Sequence, residues 1–269
     1  MNLSAYLERI AYDGPRSASR ETLARVAWRH ALSIPFENLD PYLGIRVSLD
    51  PEAVAEKLVS RRRGGWCFEH NLLLGNALRE MGFDVQDLAG RVVWRREPDA
   101  VAARTHRVLK VHCHGRDWLV DAGFGGQSLT GVLELDSEQE QSTPHEPCRL
   151  RWLGNERLLE TRTREGWLPM YRFDLQPQLP VDFEAANFQL AHDPGSHFVR
   201  ELIAALPTPH GRHTLRNGEM AWHDLHGNTE RRQLGSAAEA LNALRDVFGI
   251  DVSHLNALEQ QLSRKTFPA

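Results

Sequence analysis

Cysteine is scarce in this chain: Cys67, Cys113 and Cys148 are the only three among 269 residues. The count is odd and no pair has C-x-x-C spacing, which argues against a disulfide framework and against a zinc site. Three reduced thiols and no bound metal are expected. Long apolar runs are also missing. Met1-Asn2-Leu3-Ser4-Ala5-Tyr6-Leu7-Glu8-Arg9-Ile10 has neither the apolar centre nor the small-residue cleavage site of a secretion signal, and no later stretch approaches membrane-spanning length. A soluble, cytoplasmic protein without a membrane partner is expected. There is no surplus of positive charge either, since 32 Lys+Arg stand against 36 Asp+Glu for a net charge of −4. A polyanion would meet no basic field, so nucleic acid is not an expected partner. What remains is ordinary globular composition, 41% hydrophobic and 25% charged, in a chain long enough for two or three subdomains.

The first third reads as helical. Leu3, Tyr6, Leu7 and Ile10 predict a short helix that stops at Asp13-Gly14-Pro15, and Leu23, Val26, Ala27, His30 and Ala31 predict a second, broken by Pro35. Asp50 before Pro51-Glu52 is an N-cap signal for a third helix, with Val54, Leu58 and Val59 facing the core. From Val85 the pattern becomes strand-like, over Val85–Trp94, His106–Cys113, Trp118–Asp121, Arg149–Leu153, Leu158–Thr163 and Trp167–Phe173. Gly115 and Gly154-Asn155 mark turns. Short strands joined by hairpins predict an antiparallel sheet or small barrel, with Trp152, Trp167 and Phe173 in its core. The polar, acidic segment Glu134–Pro147 reads as a solvated loop without chemistry. Beyond Pro180 a helix over His197–Leu206, a hairpin at Asn217-Gly218 and a helix opened by a Ser236/Glu239 capping box predict a small α/β unit.

Chemistry begins at Arg63-Gly64-Gly65-Trp66-Cys67-Phe68-Glu69-His70-Asn71. Two glycines let main chain pack closely before Cys67, and Phe68, Leu72, Gly75, Leu78 and Met81 recur at helical spacing, with Gly82 as the stop. Cys67 is thus expected in or just before the first turn of a buried helix, where the macrodipole and unpaired N–H groups favour a thiolate. Such a nucleophile needs a base and a group to orient it. His70 lies three residues on along the same helix and is a minor candidate. His106 opens one strand and Asp121 closes the next, positions from which rigid elements present side chains. Gly123-Phe124-Gly125-Gly126 follows, where main chain can offer N–H donors to a ligand. A two-residue turn at Gly115-Arg116 would set Asp121 opposite Lys110, four residues or about 13 Å along the strand from His106. That offset leaves Asp99, Asn71 and Asp117 as alternatives for the third member. His112-Cys113-His114 resembles a metal cluster, but neighbours in a strand alternate faces, so Cys113 is expected in the core beside Leu109 and Val111.

Taken in order, Pro35-Phe36-Glu37-Asn38-Leu39, Arg63-Gly64-Gly65-Trp66-Cys67-Phe68-Glu69, Thr105-His106, Val120-Asp121-Ala122-Gly123-Phe124-Gly125 and Trp167-Leu168-Pro169-Met170-Tyr171-Arg172-Phe173 make the chain resemble the arylamine N-acetyltransferases through most of its length. The resemblance implies an α+β fold of several subdomains: an N-terminal helical bundle, a central antiparallel β-barrel and a C-terminal α/β lid, here 1–84, 85–190 and 191–269. It implies a Cys67-His106-Asp121 triad arranged as in cysteine proteases, and a structural ion pair between Glu37 and Arg63. Phe36 and Phe124 would line the acceptor pocket, Phe198 would close it, and the Gly125-Gly126 loop would receive the coenzyme A pyrophosphate. Acetyl-CoA is the implied donor, in a ping-pong transfer to an arylamine, hydrazine or N-hydroxyarylamine, with a homodimer left open. The same residue types would also serve an amide synthase that closes polyketide macrocycles, a thiol amidohydrolase or transglutaminase-like enzyme, or a non-catalytic binding module whose triad is structural.

Overall fold

Asn2, Ser19 and Asp50 each turn a side-chain oxygen onto N–H groups of the following turn, and the helices Leu3–Arg9, Arg20–Ser33 and Pro51–Ala55 begin there. These caps are visible in a computed structural model that describes residues 1–267. The helix Cys67–Glu80 lies at the centre of the region, with Phe68, Leu72, Leu73, Leu74, Ala77 and Leu78 all buried. It stops where predicted, with Gly82 in the left-handed region at φ 87°. No helix among the described residues is long and apolar enough to cross a membrane.

Seven antiparallel strands curl into a nearly closed barrel, in the spatial order Leu133–Glu134, Arg116–Val120, Arg104–Cys113, Asp84–Val92, Gly166–Phe173, Glu156–Thr163 and Cys148–Leu153. Period-two alternation divides their side chains between two cores. Leu88, Val108, Leu119, Leu133, Leu150, Leu159, Tyr171 and Phe173 fill the barrel. Val85, Ala89, Leu109, Val111, Cys113 and Val120 face the other way, onto the Cys67 helix. Cys113 is therefore a core thiol, as its strand position predicts. A second sheet has the order Phe36–Glu37, Ile203–Thr208, Gly211–Arg216, Glu219–Asp224 and Thr229–Gln233. The helices Ala237–Asp246 and Leu258–Lys265 contribute to its core through Ala240, Leu244, Leu258 and Leu262.

Four expectations need correction. The turn of the first barrel hairpin is His114-Gly115, not Gly115-Arg116: Cys113 pairs with Arg116, and the turn residues have φ of 50° and 75°. Two positive φ values make a type I′ turn, whose twist suits a two-residue hairpin. Extending the pairing Leu109↔Val120 by one step puts Val108 opposite Asp121. His106 and Asp121 are then two residues out of step on one face, diagonal neighbours within side-chain reach. The predicted helix over His197–Leu206 lasts only from His197 to Arg200, because Ile203–Thr208 is a strand paired on both sides. Those pairings outweigh its helical spacing. For the same reason the first third is not purely helical: Phe36–Glu37 forms the edge strand of the C-terminal sheet. Trp152, expected in the barrel core, is 51% exposed near the Gly154 turn, where its ring instead packs 4.1 Å from the Arg157 guanidinium.

Candidate active site

Cys67 is the first residue of its helix, and main chain closes around it from two sides. A Cβ on Gly64 would sit 2.1 Å from the Pro35 carbonyl oxygen, and one on Gly123 would sit 2.6 Å from the Cys67 Cα. Neither position has room for a side chain. Cys67 is 7% exposed, and its thiol lies 3.7 Å from the carbonyl oxygen of Thr105, one residue before His106. Glu69 completes the helix start by accepting the Trp66 N–H at 3.2 Å.

His106 and Asp121 meet inside the barrel, with Nε2–H donating to Asp121 Oδ2 at 2.7 Å. This bond leaves Nδ1 as the ring nitrogen that Asp121 does not engage. The other carboxylate oxygen accepts from Asn71 Nδ2 and from the Gly123 N–H, each at 2.9 Å. Asn71 is itself fixed, donating to the Arg107 carbonyl at 2.5 Å and accepting the Ala122 N–H at 3.1 Å. Burial pushes the His106 pKa down, but the Asp121 charge and hydrogen bond outweigh it, and with Cys67 adding to the effect His106 is raised to about 10. Burial likewise opposes ionisation of Asp121, yet His106, Asn71 and Gly123 hold its pKa below the usual 3.8. Tyr171 and Phe124 flank the imidazole, with ring centroids 4.8 and 5.3 Å away. Asn71, an alternative to Asp121 in the sequence, instead supports it, and no sequence signal gives Tyr171 its place beside the imidazole.

A buried charge cluster holds the loop before Cys67. Arg63 Nε donates to Glu37 at 2.8 Å, and Arg63 also pairs with Asp40 at 2.8 Å. Lys57 bridges Asp40 at 2.6 Å and Glu69 at 2.7 Å. Three carboxylates thus face two cations. Burial, partly offset by Lys57, pushes the Glu69 carboxyl up to about 7. The expected Glu37–Arg63 contact is present; Asp40, Lys57 and Glu69 join it through tertiary packing that no local motif announces.

His70 has another partner set. Its Nε2 donates to the Pro35 carbonyl at 3.1 Å, so Nδ1 must accept, and it does so from His30 Nε2–H at 2.9 Å. His30 Nδ1 in turn accepts from the Tyr6 hydroxyl at 2.9 Å. One end group, a carbonyl that can only accept, fixes both tautomers. Burial drives the His70 pKa down to about 4 and that of His30 well below 6.5. A neutral, doubly bonded ring is not available as the base for Cys67.

Aromatic rings cluster against the start of the helix that carries Cys67. Phe36 stacks on His70 at 6.4 Å, and Phe198 lies 6.2 Å from Phe36 and 5.3 Å from Trp66. Gly125 and Gly126 begin a single 3-10 turn, Gly125–Gln127, which packs on Phe36. His112 pairs with Asp117 at 2.7 Å, and no metal-holding group of three or more His, Cys, Asp or Glu occurs among the described residues.

Residues 19–257 match the model of a family described as N-acetyltransferase. The arylamine N-acetyltransferase of Mycolicibacterium smegmatis is 45% identical over 265 residues, spanning 97% of this chain and 96% of its own. The Salmonella typhimurium protein named arylamine N-acetyltransferase / N-hydroxyarylamine O-acetyltransferase is 39% identical over 253 residues, 93% of this chain and 89% of its own. The structure of Mycobacterium marinum arylamine N-acetyltransferase in complex with CoA superposes with a TM-score of 0.95 at 40% identity, covering 99% of this chain and all of the other. By sequence and by fold, the chain belongs to the arylamine N-acetyltransferase family.

Proposed function

We propose that the protein moves the acetyl group of acetyl-CoA to the nitrogen of an arylamine or hydrazine, or to the oxygen of an N-hydroxyarylamine, through an acetyl-Cys67 thioester. The observation that carries this reading is the fully buried His106–Asp121 pair beside a cysteine at a helix N-terminus. In the first half-reaction the Cys67 thiolate attacks the acetyl carbonyl, the bond from that carbon to the coenzyme A sulfur breaks, and imidazolium Nδ1 protonates the leaving thiolate. The Cys67 and Phe68 N–H groups, which precede the first bond of the helix from Glu69 N–H to the Trp66 carbonyl, are the donors for the oxyanion in this reading. In the second half-reaction the acceptor nitrogen or oxygen attacks the thioester, neutral Nδ1 takes its proton, and the Cys67 sulfur leaves. Asp121 holds the tautomer and stabilises the imidazolium in both.

Phe36, Phe124 and Phe198 form the acceptor pocket in this reading, and N–H groups of the turn at Gly125-Gly126 receive the donor's pyrophosphate. The names of the relatives support transfer over hydrolysis, and the Salmonella name supports oxygen as well as nitrogen acceptors. Intact-mass spectrometry after incubation with acetyl-CoA alone tests the proposal. One acetyl group should appear on Cys67, be absent from Cys67→Ser, and be discharged by an added arylamine with formation of the acetamide. Release of acetate without a detectable adduct or transfer would refute it in favour of a hydrolase.

A further inference from the structure

The C-terminal sheet sends one cation into the barrel domain. Arg212, on the strand Gly211–Arg216, is 4% exposed. Its NH1 group donates to the carbonyl oxygens of Gly126 at 3.0 Å and Ser128 at 3.5 Å. Its NH2 group pairs with Glu146 and donates to His145 Nδ1 at 3.1 Å. His145 can accept there because its Nε2–H donates to the Thr208 carbonyl at 2.8 Å, and Trp28 sets its edge against the ring at 5.3 Å. The segment Glu134–Pro147, expected to be a solvated loop without chemistry, therefore supplies two of the groups that hold this guanidinium. Three separate parts of the chain converge on it because of tertiary structure, and local composition carries no trace of that.

The contact matters through peptide geometry. The Gly125 carbonyl accepts from the Ser128 N–H and hydroxyl, each at 3.0 Å, while the Gly126 carbonyl accepts from Arg212. In a trans peptide the N–H points opposite to the C=O, so tying the Gly126 oxygen to Arg212 directs the Gln127 N–H away from the guanidinium, and tying the Gly125 oxygen to Ser128 directs the Gly126 N–H away from Ser128. Successive N–H groups held in this way form an anion-binding concavity.

We propose that Arg212, held by Glu146 and His145, is a positioning residue for the acyl donor: it fixes the Gly125–Gln127 turn so that its main-chain N–H groups stay aimed at a diphosphate. The inference rests on the reading above that this turn receives the coenzyme A pyrophosphate. It assigns the C-terminal sheet a part in donor recognition.

The test compares two donors with the same thioester and pantetheine arm, acetyl-CoA and S-acetylpantetheine, which lacks the diphosphate. Wild-type kcat/KM should favour acetyl-CoA. In Arg212→Gln that preference should shrink about tenfold, mainly through a higher KM for acetyl-CoA, because the donors are held slightly out of place. Glu146→Gln loosens the guanidinium without touching the turn and should shrink the preference in the same direction by about threefold; it decides the matter if Arg212→Gln does not fold. An undiminished preference in a folded variant, or an equal loss with both donors, would overturn the proposal. Absence of any preference in the wild type would instead bring down the pyrophosphate reading itself, and it is told apart because it appears without a substitution.

Discussion

Two histidines, each buried and each hydrogen-bonded at 3.1 Å or less, serve the same helix in opposite charge states. His106 donates to a carboxylate and is raised to about 10; His70 donates to a carbonyl and is lowered to about 4. Burial acts on both in the same direction, against charge. The difference is the partner: a full negative charge at 2.7 Å outweighs desolvation, whereas the dipole of the Pro35 carbonyl does not. The chain thus holds one histidine charged and another neutral within the same core, and a single carboxylate decides which is which.

Removing that carboxylate should have the largest effect. Asp121→Asn makes the environment of His106 resemble that of His70, and single-turnover acetylation should slow by about 10⁴-fold, the loss that the same change causes in another triad. An unchanged rate in a folded variant would remove Asp121 from the machinery. The converse experiment is His70→Phe, which strands the His30 Nε2–H, while the Pro35 carbonyl keeps the Gly65 N–H at 3.3 Å. It should lower stability by about 1–3 kcal/mol, measured by denaturant unfolding, while the pH dependence of acetylation keeps its shape. A displaced pH profile would show that His70 takes part in proton transfer.

A smaller effect separates the two residues by pH. The folded-state pKa of His106 lies above its ordinary 6.5, so its contribution to stability is complete below 6.5 and is lost as pH rises towards about 10. His70 has the opposite sign: its contribution is complete above 6.5 and is lost as pH falls towards about 4. Melting temperatures across the two windows should therefore respond to different substitutions. Asp121→Asn should flatten the alkaline slope and His70→Phe the acid slope; the reverse pattern would contradict both assignments.

Much of this is legible in the sequence, but unevenly. Caps at Asp50 and Ser236, the stop at Gly82 and the placement of Cys67 in a first helical turn depend on neighbours a few residues away, and all appear as expected. The position of Asp121 relative to His106 depended on one turn. Moving it from Gly115-Arg116 to His114-Gly115 halves the offset, and nothing in the local composition excluded a left-handed His114. Helical spacing over His197–Leu206 misled because the pairing of Ile203–Thr208 with Phe36–Glu37 spans most of the chain. Shorter separations, from 12 residues between Lys57 and Glu69 to 66 between Arg212 and Glu146, also hide the Lys57 bridge, the Tyr6–His30–His70 chain and the meeting of Arg212 with Glu146. Local signals announce where an element starts and stops; which buried polar group finds which partner is settled by the tertiary fold.

The central claim is that Asp121 keeps His106 charged at neutral pH inside a buried site. Side-chain ¹⁵N NMR of histidine-labelled protein, titrated from acid to alkaline pH, reads that charge state directly, with His106→Gln identifying its signal. The account predicts that the His106 ring stays doubly protonated through neutrality and titrates near 10, while His70 is a neutral single tautomer down to about 4. A His106 ring already neutral at pH 7, or titrating together with His70, would contradict it.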